Sequence, residues 1–235
     1  MISDLKLMVK RSPPMRLYLR RRISQTGFWF VDVPRTGSTS LRAELGEHFG
    51  SIHGKLDVDD RSFAKKALIP HHQTAMQVRD LIGARDWEAL FTFSFVRNPW
   101  SRSLSFYHFI QKRYPVLRSW TLNEYLEHVK LARESGVSDI ELFRYRPFVM
   151  SALEFVSDDS GALLVDEVYK FEDRAAAMKI IADRLCMTKA DYIHFQAATA
   201  VDRHYSEAFD DTGRRLVEKM FGEEIERFRY RFGGP

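Results

Sequence analysis

Three short apolar runs stand out along the chain, at residues 27–33, 91–96 and 165–170. Each is dense in aromatic and β-branched residues and too short to show a helical period, so each predicts a buried parallel strand. Elsewhere apolar positions recur at helical spacing. Thr121-Leu-Asn-Glu124 is a capping-box pattern opening a helix whose apolar face is Leu122, Tyr125, Leu126 and Val129. Met178, Ile181 and Leu185 predict a helix over about 172–186, and a further one spans about 212–228. Strands alternating with helices predict an α/β fold of three layers, helices covering both faces of a central parallel sheet. Ligands of such sheets bind at the carboxyl ends of the strands, so the residues after each run carry the chemistry to be read.

After the first run comes Pro34-Arg35-Thr36-Gly37-Ser38-Thr39-Ser40-Leu41, which leads straight into a helical pattern. The first turn of a helix has N–H groups without intrahelical partners and the positive end of the dipole, both suited to an oxyanion. Gly37 lets the backbone approach a ligand, Thr36, Ser38, Thr39 and Ser40 supply hydroxyls, and Arg35 supplies a fixed charge. The loop lacks the G-x-x-x-x-G-K-[ST] pattern of a nucleoside triphosphatase P-loop. The second run ends at Arg97, followed by Asn98, a good N-cap, and Pro99, a good first helical residue. Ser105 then falls about one to two turns into the helix, within reach of an anion shared with Arg97.

These motifs resemble the sulfotransferases that use 3′-phosphoadenosine 5′-phosphosulfate (PAPS), in particular the bacterial and Golgi carbohydrate-type branch, with relatives of the heparan type. Pro34 to Leu41 looks like that family's 5′-phosphosulfate loop, and Arg97 with Ser105 looks like its 3′-phosphate site. His72-Gln-Thr-Ala, the stretch Val165 to Glu172 and the ending Ile225 to Phe232 look like family landmarks in family order. The resemblance implies a P-loop-NTPase-like sulfotransferase fold and transfer of a sulfuryl group from PAPS, with 3′-phosphoadenosine 5′-phosphate (PAP) as product and no metal. The acceptor it implies is a hydroxyl or amine of a carbohydrate or glycolipid. By the same resemblance Arg35 stabilises the leaving phosphate and His72 is the base, with His53 or a carboxylate as the alternative base and His71 as a positioning residue, while Arg203 and Tyr205 belong to a late cofactor loop. Arg35 stands where the family usually has Lys, and a guanidinium does not readily give up a proton, so its role there is electrostatic. A catalytically inactive PAP-binding protein and a nucleotide-dependent phosphoryl transferase are the alternatives.

Composition narrows the picture. The 235 residues, 45% of them apolar, suit one core, read as a basic N-terminal arm over 1–26 and a single domain over 27–235. The formal net charge is +4, from 36 Lys and Arg against 32 Asp and Glu, which fits a small polyanion better than nucleic acid. The basic arm predicts a helix packed on the domain or, less favoured, peripheral contact with an anionic membrane. Cys186, the single cysteine, sits in an apolar helical pattern and is read as core. No apolar run has the length of a membrane span or signal peptide core, and the expected location is cytoplasmic.

Overall fold

The computed structural model describes residues 13–49, 72–136, 146–187 and 204–234. In chain order its elements are α1 (Pro13–Thr26), β1 (Phe28–Val31), α2 (Ser38–Phe49), α3 (Ala75–Ile82), α4 (Ala84–Glu88), β2 (Phe91–Val96) and α5 (Pro99–Arg113). They continue with α6 (Leu122–Ser135), α7 (Ala152–Val156), β3 (Glu167–Lys170), α8 (Arg174–Arg184) and α9 (Asp211–Arg227). The fold is mixed α/β around a small sheet of three parallel strands in the order β1-β2-β3. Phe28 lies opposite Phe91, and Phe93 opposite Glu167.

Strand alternation sorts the side chains into two cores. Phe28, Phe30, Phe91, Phe93 and Phe95 share one with Leu41 and Leu45 of α2 and with Met178 and Ile181 of α8. Trp29, Val31 and Val96 join the other, built from α1, α3, α5, α6, α7 and α9. Helices therefore cover both faces of the sheet. The phenylalanine face is held by ring contacts such as Phe91 on Phe93 at 5.2 Å and Phe30 on Phe93 at 5.4 Å between centroids. Burying one such side chain contributes about 1.5–3 kcal/mol, so this face alone pins the register of β1 on β2.

The basic N-terminal stretch forms α1, which packs on α3 and β1 with Ile23 fully buried in the larger core, in keeping with the favoured reading of a helix packed on the domain. Two expectations are corrected. The third strand is an edge strand and not a buried one: Glu167 is exposed and the rest of β3 is half-buried. Cys186 is exposed and lies beyond α8, where φ of 54° turns the chain out of the helix and carries its side chain away from the core. The capping box at Thr121 forms as expected, and Tyr125, Leu126 and Val129 are buried. No helix among the described residues is long and apolar enough to cross a membrane.

Candidate functional site

All three strands end at the same edge of the sheet, and the residues read as a site gather there. The β1 to α2 loop makes its turn through two left-handed residues, Arg35 at φ 67° and Gly37 at φ 73°. Glycine adopts that conformation freely, but for arginine it costs about 1–2 kcal/mol, the kind of strain kept where the loop's shape is itself needed. Among the described residues no acceptor takes the N–H of Thr36, Gly37 or Ser38. With α2 beginning at Ser38, these donors and the helix dipole converge on one place, which is what a bound oxyanion requires. The hydroxyls divide. Thr36 is buried and spends its Oγ1–H on the Val33 carbonyl at 2.8 Å, so its side chain shapes the loop and does not face a ligand. Ser38 is buried at the loop floor, whereas Thr39 and Ser40 are exposed on the first turn of α2.

The β2 to α5 junction is built differently. Asn98 caps α5 with its own side chain, Oδ1 accepting from the N–H of Trp100 at 3.2 Å and of Ser101 at 3.4 Å, while Glu172 accepts from the Asn98 N–H at 2.8 Å. This helix start contributes a side chain in place of open amides. Arg97 lies over the Phe171 ring at 4.7 Å, donates through Nη1 to the Arg35 carbonyl at 3.2 Å and through Nε to Ser101 Oγ at 3.0 Å. Burial, opposed by Glu172, pushes its pKa down to about 10, so it stays charged at neutral pH. Arg97 and Ser105, read as sharing an anion, are each bonded to a different protein partner. Ser105 accepts from Arg35 Nε at 3.1 Å and Nη2 at 2.9 Å, and Arg35 rests on Phe109 at 5.1 Å. One helical turn separates Ser101 from Ser105, so the nearer serine meets the arginine at the strand end and the farther one meets the arginine of the neighbouring loop.

Tyr205 lies beside this junction and not over the loop. Its hydroxyl accepts from Asn98 Nδ2 at 2.9 Å and from the Gly233 N–H at 2.8 Å and donates to the Gly234 carbonyl at 3.0 Å, which closes residues 231–234 over the cap of α5. Arg203, His53 and His71 lie outside the described residues.

His72 stands on the other flank of the loop. Its Nδ1 is 3.0 Å from the Asp32 carbonyl, which fixes the proton on Nδ1 and the lone pair on Nε2. The buried Asp32 carboxylate is 3.3 Å from the same nitrogen but is shared with Arg42 of α2. Burial first, and then the Arg42 charge, hold the His72 pKa at about 4, well below the value near 6.5 that an ordinary imidazole has. A cavity of about 910 Å³ has His72, Gln77, Glu154, Arg146 and Asp158 in its wall and none of residues 34–40. Through its contact with Asp32, His72 links the cavity wall to the end of β1.

Sequence reading missed Ser101, Phe109, Phe171 and the Asp32–Arg42 pair. Only the four-residue step from Arg97 to Ser101 to Ser105 was there to be seen, since the other contacts join distant parts of the chain. No family model, curated protein or solved structure matches this chain.

Proposed function

We propose that the protein is a PAPS-dependent sulfotransferase acting on a hydroxyl or amine, with a carbohydrate or glycolipid as the acceptor class. The observation that carries the reading is a pair of donor-rich, cationic elements at one sheet edge: the open amides of residues 36–38 with Arg35, and Arg97 one strand over. A nucleotide with phosphates at both 5′ and 3′ positions matches two such elements; a nucleotide with a single phosphate chain matches one. When bound, PAPS supplies an activated sulfuryl group whose bond to the 5′-phosphate breaks as the acceptor oxygen or nitrogen attacks sulfur in line. The loop amides and Arg35 stabilise the charge that grows on the departing phosphate. Ser105, accepting from both Nε and Nη2 of Arg35, keeps its own O–H for the ligand and sets the guanidinium plane. His72, neutral and oriented by Asp32, takes the acceptor proton on Nε2. The cavity whose wall includes His72 is where the acceptor enters.

One observation favours a second reading, a PAP-binding protein without transferase activity: an imidazole held at about 4 is a weak base. The two readings separate in one experiment. Calorimetry with adenosine 3′,5′-bisphosphate and ATP, followed by transfer of labelled sulfate from PAPS to a panel of amino- and hydroxyl-bearing glycans, is expected to show preference for the bisphosphate and turnover. Preference without turnover supports the binding protein. Preference for ATP overturns both and leaves a phosphoryl transferase.

A further inference from the structure

The cavity with His72 in its wall has a volume of about 910 Å³, far more room than the removal of one proton requires. Two further wall residues, Glu224 and Ser157, are almost wholly buried, and each has a side-chain oxygen with no hydrogen-bond partner among the described residues, Glu224 Oε1 and Ser157 Oγ. A buried polar atom left unmade is destabilising, so two in one wall point to a ligand that completes them. Both are placed by α7. Glu224 Oε2 accepts from the N–H of Ala152, the first residue of that helix, at 2.6 Å and from Arg102 Nη2 at 3.0 Å, which leaves only Oε1 open. Ser157 caps the other end, its own N–H donating to the Leu153 carbonyl at 3.1 Å. With a rise of about 1.5 Å per residue the two ends of α7 lie roughly 7–8 Å apart. One small group does not reach both oxygens, whereas a ring with hydroxyls on two sides does.

What the two oxygens lack is a hydrogen-bonding group and not a charge. Arg102 already balances Glu224, with both side chains buried. An ammonium would set a second cation beside that pair, and it has no lone pair to take the Ser157 O–H. A hydroxyl donates to Glu224 Oε1 and both donates to and accepts from Ser157. An anion fits less well still, because the cations of the wall are already engaged. Arg133 and Arg146 share Glu154 at 2.8 and 3.7 Å, and Lys219 is 3.3 Å from Glu134. Asp159 and Glu223 add negative charge to the same wall. Met76, Met150 and Met220 supply adaptable apolar surface there for the C–H face of a ring.

We propose that Glu224 and Ser157 form a binding site for an uncharged sugar ring and set the specificity of the cavity for neutral glycans over uronates and amino sugars. That this sugar is the acceptor rests on the sulfotransferase reading, whereas the site itself does not. Full-length protein is titrated by saturation-transfer NMR with maltose, cellobiose and lactose as neutral probes, a glucosamine disaccharide as the amine and a glucuronate-containing disaccharide as the anion. The parent is expected to bind at least one neutral probe, and the charged probes about tenfold more weakly or not at all. Ser157→Ala is expected to weaken the neutral sugar about three- to tenfold, as loss of one hydrogen bond does, and Glu224→Gln about tenfold, because the charge-assisted acceptor is lost. Ser157→Ala carries the test if the glutamine variant does not fold, which circular dichroism shows. A parent that binds no neutral probe, a parent that prefers the amine or the uronate, or folded variants that bind the sugar as the parent does would overturn the proposal. Sugar binding that depends on both residues, in a parent that does not favour adenosine 3′,5′-bisphosphate over 5′-AMP, would uphold the site and overturn the sulfotransferase reading.

Discussion

Two helices start at the carboxyl ends of adjacent strands, yet the two starts have opposite chemistry. At α5 the protein satisfies its own donors: Asn98 caps the first turn, Glu172 accepts the Asn98 N–H, and Tyr205 with residues 231–234 closes over the cap. At α2 the chain turns through two left-handed residues and leaves the N–H groups of 36–38 without acceptors among the described residues. Leaving a donor unmade costs about 1–3 kcal/mol where water is excluded, so an open start persists at the expense of stability unless a ligand uses it. The same topology thus yields one anchor and one receptor. The anchor holds Arg97 at a fixed distance from the receptor, through Ser101 on one side and the Arg35 carbonyl on the other.

The largest effect is expected at the receptor. Arg35→Ala removes the charge beside the growing negative charge of the leaving group, and turnover should fall by about 10²–10³ while affinity for the bisphosphate product changes much less. Steady-state kinetics beside product calorimetry check this; equal losses in both would make Arg35 a binding residue only. Next in size is the response of His72 to acid. Its folded pKa of about 4 lies below the unfolded value near 6.5, so the unfolded chain binds the extra proton between those limits. The associated stability is fully present above pH 6.5 and is lost as pH falls toward 4, a slope that His72→Gln should remove from a plot of melting temperature against pH. A bound polyanion offsets the Arg42 charge, so the imidazole pKa followed by NMR should rise on adding the bisphosphate. The smallest effect belongs to the anchor. Asn98→Ala deletes a cap worth about 0.5–2 kcal/mol and should lower the melting temperature by a few degrees while nucleotide affinity shifts only slightly. A large loss of affinity in that variant would erase the distinction between the two helix starts.

What was legible in the sequence followed from short-range chemistry. The strand at 91–96, the helix start after Pro34 to Gly37, the Asn98-Pro99 cap and the capping box at Thr121 are each written within a few residues and reappear where they were read. Two further capping boxes, at Thr74 and Ser151, carry the same signal and went unread. Pairings set by the fold were not legible. Ser105 is 70 residues from Arg35 and Arg174 is 137 from Gly37, and no local pattern says that either pair will meet. Cys186 shows a different failure, in which a helical period was extended past Arg184 although the helix ends there and Cys186 itself turns left-handed. The weakly basic character of His72 came from burial and then from the Arg42 charge, both products of tertiary packing.

The most direct test of a two-element anion site is titration calorimetry of the parent protein with adenosine 3′,5′-bisphosphate against 5′-AMP, repeated on Arg97→Ala. The bisphosphate should bind about ten- to a hundredfold more tightly, since a hydrogen bond to a charged group contributes roughly 1.5–3 kcal/mol, and Arg97→Ala should erase most of that preference while leaving 5′-AMP nearly unchanged. Equal binding of the two nucleotides by the parent would contradict the assignment of Arg97 to a 3′-phosphate, and the sulfotransferase reading with it.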